Sequence, residues 1–179
     1  MARNIIVPYE RLAFCLVLRR QGLSVNEIGQ FLYDSEEGGG PRAGWAPGWL
    51  VRLLIRLAGP LLLRPMRRAA EESQERKHPD EFVFAMVGRD SETDFGFDIF
   101  ECAVCKALTK HGALDIVPYI CALDDKGSDA LGLELRRTGT LALGADRCDF
   151  RYKLGGEARS LRSQYQLPLS GERLGTGKG

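Results

Sequence analysis

Apolar residues recur three and four positions apart from Tyr9 to Arg20, with Leu12, Cys15 and Leu16 on one stripe. That period predicts a first helix. Gly22 ends it, and Ser24-x-x-Glu27 has the spacing of a capping box for a second helix reaching Tyr33. Residues 34–48 hold two glutamates, three consecutive glycines, Pro41 and Pro47, and read as a loop. Trp49 to Leu63 is the most hydrophobic run, broken by Gly59-Pro60 and carrying Arg52 and Arg56 one helical turn apart. Leu61 to Lys77 continues as a helix, with Pro65 in its first turns and a charged end.

After His78-Pro79 the period shortens to two. Glu81 to Val87 and Phe95 to Cys102 read as a strand pair joined by the polar stretch 88–94, and Asp98, Phe100 and Cys102 share one face of the second strand. Ala103 to Lys110 returns to a helical pattern ended by Gly112. Asp115 can cap a further helix that gathers Val117, Ile120, Cys121 and Asp124 on one side, and Lys126 to Asp129 reads as a turn. Leu133 to Ala142 and Cys148 to Leu154 are the expected third and fourth strands. The whole predicts an α+β fold, N-terminal helices followed by a ββαββ four-stranded antiparallel sheet. Its expected extent is 1–155 as a single domain, with a helical part at 1–78, a sheet and motif part at 80–154, and a flexible tail at 156–179.

Charge narrows the function classes. Twenty-five basic residues against 24 acidic ones give no global field for nucleic acid or an anionic membrane. The corner Gln21 to Gly29 has helix-turn-helix spacing, but its second helix offers Glu27 and Gln30 and no cation for phosphates. The 49–63 run is shorter than the roughly 20 residues a bilayer requires and is interrupted by two arginines. No membrane span is expected. So apolar a helix is buried centrally or against another chain, and a homo- or hetero-oligomer through residues 49–68 is expected. Five cysteines, an odd count, and an N-terminal apolar run too short for a signal sequence point to reduced thiols and a cytoplasmic location.

Four of the five cysteines lie between Asp94 and Lys153, among charged residues on apolar elements. Arg137 shares a predicted strand face with Leu133, Leu135 and Leu141, and a buried guanidinium needs an anion. Asp124 lies one turn beyond Cys121 on the apolar side of its helix, while Asp149 and Arg151 project opposite to Cys148, Phe150 and Tyr152. Cys102-x-x-Cys105 is half of a zinc knuckle, but the second half is missing and no metal is expected. Thiol chemistry fits better, since a thiolate is a competent nucleophile when a cation or base lies near. Cys102, Cys121 and Cys148 come from separate elements that this fold can gather around Arg137, Arg151 and Asp124.

At these residues the sequence resembles the L-2-amino-thiazoline-4-carboxylic acid hydrolase family. The resemblance rests on Phe97-Asp98, Glu101-Cys102, His111-Gly112, the run Pro118 to Asp124, the run Leu135 to Ala142, Gly144 and the run Cys148 to Arg151. It is close over residues 80 to 153 and extends to the N-terminal helices in outline. It implies a hydrolase, without cofactor, that opens a small cyclic amidine bearing a carboxylate to an N-carbamoyl amino thiol. It marks Cys102, Cys121 and Cys148 as thiol positions without settling which attacks, and an Asp-activated water is the alternative. Arg137 or Arg151 would meet the ring carboxylate and Asp124 or Asp149 the amidinium, with Asp98, Thr138 and Thr140 as further substrate-binding positions. Related readings are an enzyme, or a subunit of a heteromer, that opens or closes another heterocycle, and a non-catalytic ligand- or metal-binding module.

Overall fold

A computed structural model describes residues 9–35, 59, 61, 63–130, 133–154 and 167. The apolar helix expected at 49–63, most of the 49–68 region expected to meet another chain, the loop from 36 to 48 and the tail beyond 155 lie outside the described residues, apart from single positions.

Helix α1 spans Tyr9–Arg20 and α2 spans Val25–Ser35. The capping box closes α2 as expected. Ser24 N–H donates to Glu27 Oε2 at 2.8 Å, and Glu27 N–H donates to Ser24 Oγ at 3.3 Å. Helix α3, Arg64–Gln74, starts with Pro65 in its first turn and packs on β1, Val83–Val87, where Gln74 Nε2 donates to the Phe84 carbonyl at 2.7 Å. Strand β2, Phe95–Glu101, leads into α4, Ala103–Lys110. A 3₁₀ turn at Leu114–Ile116 opens α5, Val117–Ala130, and β3, Leu133–Arg136, and β4, Cys148–Leu154, complete the sheet.

The four strands are antiparallel in the order β1-β2-β4-β3, so the fold is α+β. Among the described residues two clusters form the core. One is helical, with Leu12, Cys15, Ile28, Leu32, Leu108 and Ile116 at its centre. The other lies on the sheet, where Leu135, Cys148 and Phe150 are lined by Phe97, Ile99 and Tyr152. Phe97 stacks on Phe150 at 4.7 Å and Phe95 on Tyr152 at 4.9 Å, cross-strand pairs that fix the register of β2 on β4. Gly29 lets α2 lie against α5, because a Cβ there would fall 1.9 Å from the Tyr119 ring.

Four expectations are corrected. The third strand stops at Arg136 instead of running to Ala142. Asp149 takes the N–H groups of Thr138 and Gly139, Thr140 Oγ1 accepts from Ala142 N–H, and Gly144 closes a 3₁₀ turn over Leu141–Leu143 at φ 86°. Those N–H groups therefore leave the ladder. Residues 126–129 continue α5 instead of turning. Lys126 reaches the Tyr33 carbonyl and lies over the Tyr33 ring, and Ser128 Oγ donates to the Asp124 carbonyl, contacts that outweigh the poor helix propensity of Gly127. Asp115 does not cap α5; it sits in the 3₁₀ turn and pairs with Arg19 at 2.6 Å. Cys102 is not the last strand residue but the N-cap of α4.

Candidate active site

The thiols meet where the two core clusters join. Strand β2 ends at Glu101, and Cys102 keeps an extended backbone, φ −101° and ψ 119°, as the chain enters α4. Its sulfur faces the first turn of that helix, where N–H groups have no intrahelical partner. The Cys105 side chain and the N–H groups of Cys105 and Val104 lie around Cys102 and favour its ionised form. That donor set holds the Cys102 thiol down to about 7, against the burial that would raise it. The Cys105 thiol is pushed upward by the neighbouring Cys102 and by burial.

The other two thiols are kept neutral. Cys121, on α5, is pushed up to about 12 by burial in spite of the nearby Arg137 charge. Cys148, at the start of β4, is also raised by burial, opposed by its bonds from the Thr140 side chain and the Leu141 N–H. The Leu141 N–H donates to Cys148 Sγ at 3.2 Å. Thr140, only 1% exposed, sets its hydroxyl between Cys148 Sγ at 3.3 Å and Cys121 Sγ at 3.7 Å. One hydroxyl thus ties the helix thiol to the strand thiol.

Beside them lies an ion pair. Arg137 directly follows β3, and its side chain is 0% exposed. It donates to Asp124 Oδ2 at 2.8 Å and to the Cys121 carbonyl at 2.9 Å, and its guanidinium stacks over the Phe150 ring at 4.6 Å. The Asp124 side chain is 40% exposed at its outer edge. Even so, crowding by neighbouring atoms raises its carboxyl above the ordinary value, with Arg137 pulling the other way. Asp124 is near enough to Cys102 for its charge to oppose ionisation of that thiol.

The two-residue period of the sheet divides the remaining sequence-predicted residues from this cluster. Cys148 and Phe150 pack into the sheet core, whereas Asp149 and Arg151 project from the opposite face together with Asp98, the register partner of Asp149. There Arg151 pairs with Asp98 at 2.8 Å and Arg147 with the same carboxylate at 3.4 Å. Asp149 is taken up by the turn after β3. It accepts from Thr138 N–H at 2.9 Å, Thr138 Oγ1 at 2.6 Å and Gly139 N–H at 2.7 Å. Burial would raise its carboxyl, but those bonds hold it below the ordinary carboxylate value. The fold therefore brings Cys102, Cys121, Cys148, Asp124, Arg137 and Thr140 together, and sets Asp98, Asp149 and Arg151 on the opposite face, where Asp149 holds the turn at Thr138 and Gly139.

Two partners were not singled out from sequence. Cys105 reads there as half a zinc knuckle; its place against Cys102 follows from the Cys-x-x-Cys spacing once Cys102 is taken as a helix N-cap. Phe150, as the platform under Arg137, has no signal beyond its strand parity. Among the described residues no group of three or more His, Cys, Asp or Glu side chains is arranged to hold a metal ion, and no helix is long and apolar enough to cross a membrane. A cavity of about 370 Å³ lies between α1 and α4, lined by Leu12, Leu16, Ala103, Leu108 and His111. A second, of about 240 Å³, lies at the far edge around Arg89, Asp94 and Lys153. Neither is lined by the four clustered cysteines, of which Cys105 and Cys121 are half-buried.

No curated protein and no solved structure matches the chain. The model of one family, described as L-2-amino-thiazoline-4-carboxylic acid hydrolase, matches residues 60–152, just over half of the sequence and the whole of β1 through α5 and β3, with nearly all of β4. That span carries every thiol and charge of the cluster described above, and the chain belongs to the L-2-amino-thiazoline-4-carboxylic acid hydrolase family.

Proposed function

We propose that the protein hydrolyses a small cyclic amidine bearing a carboxylate, of the 2-aminothiazoline-4-carboxylate type, with Cys102 as the attacking thiolate. The observation that carries this reading is the contrast among the thiols. Cys102 is held near neutrality at the head of α4, while burial keeps Cys121 and Cys148 protonated.

Such a substrate is a zwitterion, and the Arg137–Asp124 pair is its complement. The amidinium takes the partly exposed Asp124 carboxylate, and the ring carboxylate takes the guanidinium edge that Asp124 gives up. Cys102 Sγ adds to the amidine carbon and the ring carbon–sulfur bond breaks. The substrate sulfur leaves as a thiolate and is protonated through Asp124, whose raised affinity for a proton suits the task. Water then adds to the same carbon and displaces Cys102, giving the N-carbamoyl amino thiol and restoring the thiolate. Burial keeps the neighbouring thiols neutral, Thr140 holds them in place, and Asp149 holds the turn that carries Arg137 and Thr140.

The test is incubation of the full chain with excess 2-aminothiazoline-4-carboxylate, read by free-thiol release and the mass of the N-carbamoyl product. Cys102→Ser is expected to lower kcat/KM by about a thousandfold or more, the order seen when a nucleophile is removed. Wild-type turnover by a folded Cys102→Ser variant would overturn the thiol mechanism. No turnover by the wild-type chain would overturn the substrate class.

A further inference from the structure

We infer that Cys102 and Cys105 form a redox-active dithiol that exchanges with low-molecular-weight disulfides and closes to an internal disulfide. The two residues are the N-cap and the third helical position of α4, so both side chains rise from the first turn of one helix. Cys102 has extended N-cap backbone rather than helical backbone, so rotation about its side-chain bonds can bring the two sulfurs to bonding distance without unwinding the helix. Unpaired N–H groups at the head of a helix favour a thiolate there, which is the form that attacks a disulfide. Cys105 is half-buried and Cys102 is 9% exposed, so a small disulfide meets the pair at the edge of the core.

The exchange balances without any further reactant. Cys102 thiolate attacks one sulfur of a disulfide RSSR, forming a mixed disulfide and releasing RS⁻. Cys105 loses its proton and attacks the Cys102 sulfur, which forms the internal disulfide and releases the second RS⁻. Two cysteine thiols are oxidised, RSSR is reduced to two RSH, and the two cysteine protons end on the released thiols. The competing partners are restrained. Cys148 is held by Thr140 and the Leu141 N–H, and Cys121 by Thr140, and burial keeps both thiols protonated. A consequence rests on the function proposed above: closing the disulfide removes the attacking sulfur, so oxidation stops turnover reversibly.

Trypsin makes the pairing readable. Cleavage after Arg89 and Lys106 leaves both cysteines in one peptide, residues 90–106, whereas Cys121 falls in 111–126 and Cys148 in 148–151. The full chain is equilibrated in glutathione and glutathione disulfide mixtures, alkylated, digested and analysed by mass spectrometry. The expected result is peptide 90–106 unalkylated and lighter by two hydrogens, reversed by dithiothreitol, ahead of any cross-linked pair of peptides. Cys105→Ser is expected to trap a persistent glutathione adduct on Cys102. Peptide 90–106 alkylated at both cysteines throughout, or a cross-link to 111–126 or 148–151 forming first, would overturn the inference. The mass readout needs no turnover. An internal disulfide that leaves turnover intact therefore upholds the dithiol and removes Cys102 from the proposed reaction instead.

Discussion

Replacing Arg137 by Met keeps most of the volume of the side chain and removes all of its charge. The wild-type guanidinium has no exposed surface, donates to Asp124 at 2.8 Å and to the Cys121 carbonyl at 2.9 Å, and stacks on Phe150. A hydrogen bond to a charged group contributes about 1.5–3 kcal/mol, and the stacking adds about 1 kcal/mol. Asp124 retains 40% exposure and can turn to water, which recovers part of the loss. The net expectation is destabilisation by about 3 kcal/mol, at the lower end for a broken buried pair. Asp124→Leu should cost a similar amount, because it leaves a fully enclosed guanidinium without its anion. The double variant Arg137→Met with Asp124→Leu removes both charges and should recover most of the loss, with a coupling of about 2 kcal/mol or more in a double-mutant cycle. Urea unfolding by linear extrapolation measures all three. Additive losses, with the double variant near 6 kcal/mol, would refute the view that this pair is a single buried unit.

Two other variants probe the frame around the site. Gly29→Ala forces the Tyr119 ring away from α2, and despite the better helix propensity of alanine it should destabilise the fold by about 1–3 kcal/mol in the same urea assay. Asp149→Asn tests the turn after β3. The folded protein holds the Asp149 carboxyl below its ordinary value of 3.8, so the stability it contributes is present above that value and is lost as pH falls through the depressed one. The wild type should therefore lose more stability than Asp149→Asn on acidification below about pH 4, measured as urea midpoints against pH.

Much of the fold was legible from the chain. Ser24 and Glu27 announced the start of α2, and the switch to a two-residue period marked β2 and β4 because their aromatic faces stack across the sheet. The third strand was overread. Leu133 to Ala142 alternates like a strand, but the carboxylate of Asp149, from a different strand, captures its N–H groups, and such a tertiary competitor leaves no trace in local periodicity. Lys126 to Asp129 failed the other way, since a contact to Tyr33 on α2 keeps a glycine-containing stretch helical. Within the site, Arg137 was rightly singled out as a buried cation, though for a strand face it does not occupy. Asp98, Asp149 and Arg151 share the motif with Cys148 but not its side of the sheet; a motif gives order along the chain, and only strand parity separates the faces. The Cys102–Cys105 contact was present in the spacing, and it became informative once β2 ended one residue before Cys102.

The proposed mechanism stands on Cys102 as the thiolate. Its alkylation by iodoacetamide, followed against pH and read by fragmenting the 90–106 peptide, tests that claim without any substrate. With the Cys105 side chain and the α4 N–H groups holding the thiol near 7, reactivity should rise with a midpoint near pH 7, and kcat/KM for the thiazoline acid should rise over the same range. Cys105→Ala, which removes the first of those donors, should move the midpoint upward. A midpoint near 9, the ordinary value of a cysteine thiol, in the wild-type protein would contradict it.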